Sequence, residues 1–217
     1  MRTRIGLIFM FEGDFRKVSA AIKNVTSFSA VTAALMRGDQ DVTSTYINDG
    51  PTSSGNLITT GIIGDKAALI QGNYRYFVTG TYNTNKKRTW YWDIVVLPQD
   101  LSLLDGIDIS TEDYDPFVDK LTIYEGDKLA KELIIPGAEF TAAAGKFRLL
   151  ADDVTATYCS GSAGFSGESL TTHNIGGTAT IPAGDYGYFL TGTCNDGEMK
   201  ATWCYLVKVL PKQGVLP

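Results

Sequence analysis

Four acidic residues at matching places in two halves of the chain are the first candidates for chemistry. Asp14 and Asp127 each follow an aromatic-Glu-Gly sequence, and Asp41 and Asp153 each open an Asp-Val-Thr sequence. Carboxylates in such positions could act as general acids or bases. Aspartate also hydrogen-bonds readily to the backbone near it, where it opens a strand or holds a turn. We therefore interpret all four as structural.

A nucleophilic site is not indicated either. His173 is the only histidine, and it aligns with Gly61 in the other half, so no base recurs in both halves. Residues 164–167, Gly-Phe-Ser-Gly, lack the spacing of the Gly-x-Ser-x-Gly elbow and the helix that follows it. Because no Ser-His-Asp set is supported, the chain is predicted not to be an enzyme.

Cysteine usage indicates buried thiols. The three cysteines, Cys159, Cys194 and Cys204, all lie in the second half. The first half has large apolar residues in their places, namely Ile47, Tyr82 and Tyr91. We interpret the cysteines as structural thiols, with a disulfide as the alternative. The spacing of Cys and His fits no metal site, so no metal and no cofactor are predicted.

The acidic stretch 100–120 is the remaining chemical candidate, as a calcium site. Carboxylates could supply oxygen ligands there, and they are Asp105, Asp108, Glu112, Asp113 and Asp115. The spacing does not fit an EF-hand loop, because no glycine stands at the required sharp turn. We interpret the stretch as a solvated linker.

A tandem duplication determines the organisation of the chain. Residues 41–83 align with residues 153–195 without a gap, and 20 of the 43 positions are identical. Outside this core the match extends with slips of one residue, which surface loops tolerate. The duplication predicts a first domain at 1–99, an acidic linker at 100–120 and a second domain at 121–217.

Each domain is predicted to be all-β. The chain has 23 glycines and is rich in threonine, and its strands show as alternating β-branched and aromatic residues. The clearest predicted strands are 42–47, 74–81 and 90–96, with a hairpin turn at 83–87. With weaker strands at 16–22, 30–36 and 57–62, each domain has about seven strands, which is typical of a β-sandwich.

Charge and hydropathy exclude some classes of partner. The net charge is −5 and Lys86-Lys87-Arg88 is the only basic run, so nucleic acid binding is not predicted. No apolar stretch is long enough to span a membrane. The apolar residues near the N-terminus belong to the repeat, so they are predicted to form a strand of the first domain and not a signal peptide. The chain is therefore expected to stay or assemble in the cytoplasm.

A group of aromatic and basic residues near the final hairpin is the candidate interaction surface. Trp90 recurs as Trp203, so its face of the strand is predicted to be core, with Tyr91 on the opposite face. Tyr82 and Tyr91, with Lys86 and Lys87 nearby, could bind carbohydrate or protein.

The Gly-x-Tyr-x-Tyr sequence that opens one strand in each half resembles the tyrosine-corner strand of immunoglobulin-like domains. This resemblance implies that Tyr74 and Tyr186 are the corner residues, whose hydroxyls bond back to the backbone. It also implies that Tyr76 and Tyr188 stand where a true antibody domain has its second cysteine. The expected fold is therefore two tandem immunoglobulin-like β-sandwiches without the inter-sheet disulfide.

The order of motifs in each half is similar to that of small β-sandwich modules in tailed-phage virions. This resemblance implies a non-enzymatic structural protein of a virion, in capsid decoration, the neck or collar, or a tail accessory. Its expected partners are other virion subunits, with a homo-oligomer also open, and it would be assembled in the host cytoplasm. The alternative is a carbohydrate- or cell-surface-binding module of an adhesin or tail fibre.

Overall fold

The computed structural model describes residues 2–83, 86–99, 117–194, 197 and 199–212. Two compact units contain them, and the first takes Met1–Leu97. The second includes Pro116–Pro217. Most of the expected linker, with all five candidate calcium ligands, lies outside the described residues. Its last residues belong to a strand that begins at Phe117.

Unit 1 contains eight strands and one helical turn among its described residues. They are β1 (Arg2–Phe11), β2 (Ser19–Ala21), β3 (Phe28–Arg37), β4 (Gln40–Asp41), α1 (Thr43–Tyr46), β5 (Thr52–Ser54), β6 (Leu57–Thr59), β7 (Gly72–Tyr82) and β8 (Lys86–Leu97). The larger sheet has the order β1-β8-β7-β3-β4, and the smaller one has the order β2-β6-β5. In the larger sheet β1 runs parallel to β8, and the other neighbours are antiparallel.

Unit 2 repeats this arrangement. Its elements are β9 (Phe117–Tyr124), β10 (Glu132–Ile134), β11 (Phe140–Leu149), β12 (Asp152–Asp153), α2 (Thr155–Tyr158), β13 (Cys159–Ser160), β14 (Gly164–Ser166), β15 (Ser169–Thr171), β16 (Asn174–Ile175), β17 (Gly184–Cys194) and β18 (Met199–Leu210). The larger sheet has the order β12-β11-β17-β18-β9, and β10-β15-β14 form the smaller one. A short β13-β16 pair is added in this unit.

The strand order has immunoglobulin-like β-sandwich character. In that fold strands G, F, C and C′ are neighbours in one sheet, and strands B, E and D are neighbours in the other. In unit 1 the first set corresponds to β8-β7-β3-β4 and the second to β2-β6-β5. The helices of the described residues are single turns, and none of them could cross a lipid bilayer.

Tyrosines fill the centre of both units. Tyr76 and Tyr188 are completely buried, and their hydroxyls accept hydrogen bonds from the backbone N–H of Gly61 (3.2 Å) and His173 (2.8 Å). Burial raises the pKa of Tyr76 to about 12, although the bond from Gly61 acts in the opposite direction. These rings therefore link the larger sheet to the segment that follows the central strand of the smaller sheet, near the place where an antibody domain has its disulfide.

The predicted corner tyrosines make the hydrogen bond that defines a tyrosine corner. The Tyr74 hydroxyl donates to the carbonyl oxygen of Ile70 at 2.9 Å, and the Tyr186 hydroxyl donates to that of Pro182 at 3.0 Å. In both cases the acceptor lies four residues upstream of the tyrosine, two residues before the strand begins. This bond fixes the path of the chain into β7 and β17.

The repeated acids Asp14 and Asp127 hold turns. A carboxylate oxygen of Asp14 accepts a hydrogen bond from the backbone N–H of Phe11 at 2.9 Å, and Asp127 does the same for Tyr124. The intervening Gly13 has a φ of 84°, a conformation that glycine adopts without strain. The structural interpretation of these two acids agrees with this geometry.

The prediction of a strand at 42–47 is wrong. Residues 43–46 form the helical turn α1, because side chains bond the backbone there instead of a neighbouring strand. The Asp41 carboxylate accepts bonds from the Thr43 backbone N–H (3.0 Å) and hydroxyl (2.6 Å). The Thr43 hydroxyl oxygen in turn accepts a bond from the Leu35 N–H at 2.7 Å. The bonds from Thr43 lower the pKa of Asp41.

Unit 2 builds the same turn from Asp153, Thr155 and the N–H of Phe147. We expect Thr43→Val to cost about 1–3 kcal/mol of unfolding free energy, because it leaves the partly buried Leu35 N–H without its acceptor. Thr45→Val is the matched control, since Thr45 is exposed in the same turn, and it should change stability by less than about 0.5 kcal/mol. Urea unfolding of both variants measures the difference, and equal losses would contradict this role of Thr43.

Candidate functional site

One face of strand β8 packs in the core of unit 1, and the other face lies on the outside of the sheet. Trp90 and Trp92 are buried in the core of unit 1, and Tyr91 lies between them on the opposite face. Tyr82, at the end of β7, contacts Trp90 with ring centroids 5.8 Å apart and therefore belongs to the core side. Tyr82 and Tyr91 are thus not a surface pair, because strand alternation places them on opposite faces of the sheet. Of the two predicted lysines, Lys87 shares the face of Tyr91 and Lys86 does not.

Two aromatic rings lie side by side on the outer face of unit 1. Phe77 on β7 is directly opposite Tyr91 on β8 in the strand register. Their ring centroids are 5.6 Å apart and their planes are inclined by 49°. Both residues are only partly buried, so this pair remains accessible on the sheet surface.

Arginine side chains cover these rings. The guanidinium of Arg2 lies 4.8 Å from the Phe77 ring centroid, and that of Arg75 lies 4.7 Å from the Tyr91 centroid. Arg75 also lies 5.8 Å from the Phe77 centroid. Cation–π attraction of this kind holds a long side chain in place on an open surface.

One carboxylate links two of the arginines. Asp93 Oδ1 accepts a hydrogen bond from the Nε of Arg75 at 2.8 Å, and Asp93 Oδ2 forms an ion pair with the Nε of Arg4 at 2.9 Å. The Arg4 and Arg75 side chains are about half exposed (51% and 48%), so this network faces water. We refer to the set Arg2, Arg4, Arg75, Phe77, Tyr91 and Asp93 as the arginine–aromatic face.

A depression of about 820 Å³ adjoins the arginine–aromatic face. The depression extends over β3, which adds an apolar side chain, Met36, and the nearby acidic Asp39 to its lining. Its lining includes Arg2, Met36, Asp39, Arg75, Phe77 and Asp93. The surface is concave, mixed in polarity and lies wholly within unit 1.

Unit 2 has a different chemistry at the equivalent positions. Gly187 replaces Arg75, Cys204 replaces Tyr91 and Leu206 replaces Asp93. The counterpart of Phe77 is Phe189, which is buried, as is Cys204. The arginine–aromatic face is therefore a property of unit 1 and not of the shared fold.

Among the described residues, the candidate catalytic side chains do not assemble into a site. His173 contacts the Tyr188 hydroxyl through Nδ1 at 2.5 Å, and burial lowers its pKa, against the attraction of Asp153. All three cysteines are buried, and burial raises the pKa of Cys159 to about 11. Within the described residues, no group of three or more His, Cys, Asp or Glu side chains could hold a metal ion.

Sequence reasoning missed most of the arginine–aromatic face. Of the six residues it selected Tyr91 alone, together with Lys87 on the same side of β8. The six residues come from distant parts of the chain and meet only because β1 pairs in parallel with β8, with Arg4 opposite Tyr91. The usable signal was the run of polar and aromatic residues at alternate positions of β7 and β8.

Comparison with known proteins assigns no family. No family model matches the chain, and no curated protein matches it. Among solved structures, the fibronectin(III)-like modules of Clostridium thermocellum CbhA align at a TM-score of 0.30 and 10% identity, over 98% of this chain and 94% of that one. The Ig1-2 module of the Drosophila receptor protein tyrosine phosphatase DLAR aligns at 0.30 and 10%, over 96% and 95%.

An enzyme is also among the structures that align. A 2,6-sialyltransferase of a Photobacterium species has a TM-score of 0.34 and 12% identity to this chain. The alignment covers 58% of this chain and only 20% of the sialyltransferase. At these scores the similarities assign neither a family nor a function.

Proposed function

We propose that this chain is a non-enzymatic interaction protein, formed by duplication of one immunoglobulin-like module, in which the two modules contact different neighbours. One observation carries the proposal. The buried tyrosines, corner bonds and Asp-Thr turns are the same in both units, whereas the outer faces of the larger sheets differ. A common framework with two different surfaces suits a protein that joins two unlike partners.

The setting that we propose is a virion, in which the chain bridges capsid, neck or tail subunits. This part of the proposal is supported by the resemblance of the sequence motifs to phage virion modules. Self-association of the chain is compatible with the same role. The alternative is a carbohydrate-binding module, for which a sugar ring would have to displace the guanidinium that lies over each of the rings of Phe77 and Tyr91.

Site-specific photo-crosslinking in the native source tests the interaction function. A benzophenone amino acid at position 91 should give a crosslink to one defined neighbour in high yield. The same group at exposed Ser53, on the smaller sheet of the unit, is the control and should not give that product.

Quantitative mass spectrometry of purified particles tests the setting, since a virion component must be present in many copies. Absence from particles would contradict the virion setting, and the lack of any position-dependent crosslink would contradict the interaction function.

A further inference from the structure

The arginine–aromatic face is basic on an acidic protein. Arg2, Arg4, Arg75 and Lys87 project from the outer face of unit 1, and the described acidic residues that line the depression there are Asp39 and Asp93. The chain as a whole has a net charge of −5. A local excess of positive charge on such a background attracts an anionic partner and orients its approach.

The residue types on this face are those that anchor protein partners. Arginine, tyrosine, phenylalanine and methionine are enriched in interface centres, whereas lysine and glutamate are depleted there. Arg75, Tyr91, Phe77 and Met36 lie together on neighbouring strands. Because ring contacts and the Asp93 bonds already hold the arginines, little side-chain entropy remains to be lost on binding.

The contacts of Asp93 show that these arginines bind a carboxylate. Its two oxygens contact the Nε atoms of Arg4 and Arg75. Each guanidinium has five N–H donors, which leaves terminal N–H groups available for a second carboxylate. The Arg2 guanidinium contacts the Phe77 ring and has no hydrogen-bond partner among the described residues, so its donors add to this set.

We propose that the arginine–aromatic face binds a carboxylate-rich segment of a partner protein. This inference rests on the proposed interaction function and adds the chemistry of the partner to it. A glutamate or aspartate side chain of the partner joins the guanidiniums of Arg2 and Arg75. Apolar parts of the same segment contact the exposed edges of Phe77 and Tyr91.

Fluorescence anisotropy with the full-length chain tests the proposal. The probes are labelled 15-residue peptides of alternating Gly with Glu, Gln or Lys, and a 15-nucleotide oligo-dT. The Glu peptide should bind most tightly and should weaken as salt increases. If the Gln peptide or oligo-dT binds as well as the Glu peptide, recognition of a carboxylate-rich polypeptide is excluded.

Variants locate the binding to this face. Arg2→Gln with Arg75→Gln should weaken binding of the Glu peptide by about tenfold or more. Lys146→Gln is the control, since it removes an exposed positive charge from unit 2, and it should have no effect. Asp93→Asn removes the competing negative charge but keeps an oxygen acceptor, and the ring contacts still hold Arg2 and Arg75. It should therefore tighten binding by about threefold or more, a gain that partial unfolding cannot imitate. Unchanged binding in the double variant, with its folding verified by circular dichroism, would overturn the proposal.

The two levels of the proposal can fail separately. If the Glu peptide binds at this face but no neighbour is crosslinked from position 91 in the source, the interaction function fails. If a neighbour is crosslinked but the Glu peptide does not bind, the function stands and the partner chemistry is wrong.

Discussion

Gly145→Ala should destabilise unit 2 by about 1–3 kcal/mol, although unit 1 has an alanine, Ala33, at the equivalent position. A Cβ on Gly145 would overlap the Tyr188 hydroxyl and lie 2.8 Å from Nδ1 of His173. Both groups are held in place, because the Tyr188 hydroxyl bonds to the backbone N–H and the ring of His173. The added methyl group therefore has no space to enter.

The histidine explains why the two units differ at this position. His173 corresponds to Gly61, which has no side chain to occupy the space near Ala33. The double variant Gly145→Ala/His173→Gly recreates the residue pair of unit 1, so it should recover part of the stability that Gly145→Ala loses. Ala33→Gly is the control in unit 1, where we expect only the loss of about 1 kcal/mol that a removed methyl group causes.

Hydrogen–deuterium exchange with mass spectrometry measures the two units independently, because peptides from each unit report its own opening free energy. Faster exchange after Gly145→Ala should be confined to peptides of unit 2. If the double variant is as unstable as Gly145→Ala alone, or less stable, the added methyl group and the His173 side chain do not compete for space. The packing explanation would then be wrong.

The main lines of the fold could be predicted from sequence because they depend on local patterns. Alternation placed Trp90 in the core with Tyr91 opposite, and the Gly-x-Tyr-x-Tyr motif indicated the corner bonds of Tyr74 and Tyr186. The turn at Asp41 was misread as a strand, since Val42 and Thr43 have high β-propensity. What decides its conformation is a bond from the Leu35 N–H to the Thr43 hydroxyl, which joins residues eight positions apart.

The interaction site was harder to predict, since it depends on pairing between distant strands. Lys87 and Tyr91 are visible in one strand, but Arg2 and Arg4 reach them only through the parallel pairing of β1 with β8. The error at Tyr82 has a related cause. Its place on β7 follows from the register across the hairpin, where Tyr82 is opposite Lys86 and not opposite Tyr91.

Phe147→Ala should have the largest effect of all the substitutions considered, a loss of about 3–5 kcal/mol from unit 2. Phe147 is completely buried and stacks on Tyr186, with ring centroids 5.0 Å apart and planes inclined by 12°. It also contacts the Tyr188 ring at 6.4 Å, so it connects the corner tyrosine with the central one. Truncation to alanine removes both contacts and leaves a cavity between the sheets.

Two further substitutions separate packing from the general loss of an aromatic group. Phe147→Leu introduces the residue that unit 1 has at this position, Leu35, and should cost less than about 1.5 kcal/mol because it keeps most of the volume. Phe165→Ala removes a ring that is 47% exposed and should change stability by about 0.5 kcal/mol or less. Urea unfolding, together with hydrogen exchange in peptides of unit 2, should show the largest loss of stability for Phe147→Ala, a smaller one for Phe147→Leu and the smallest for Phe165→Ala. If Phe147→Leu costs as much as Phe147→Ala, the stack on Tyr186, and not the filled volume, stabilises the centre of this unit.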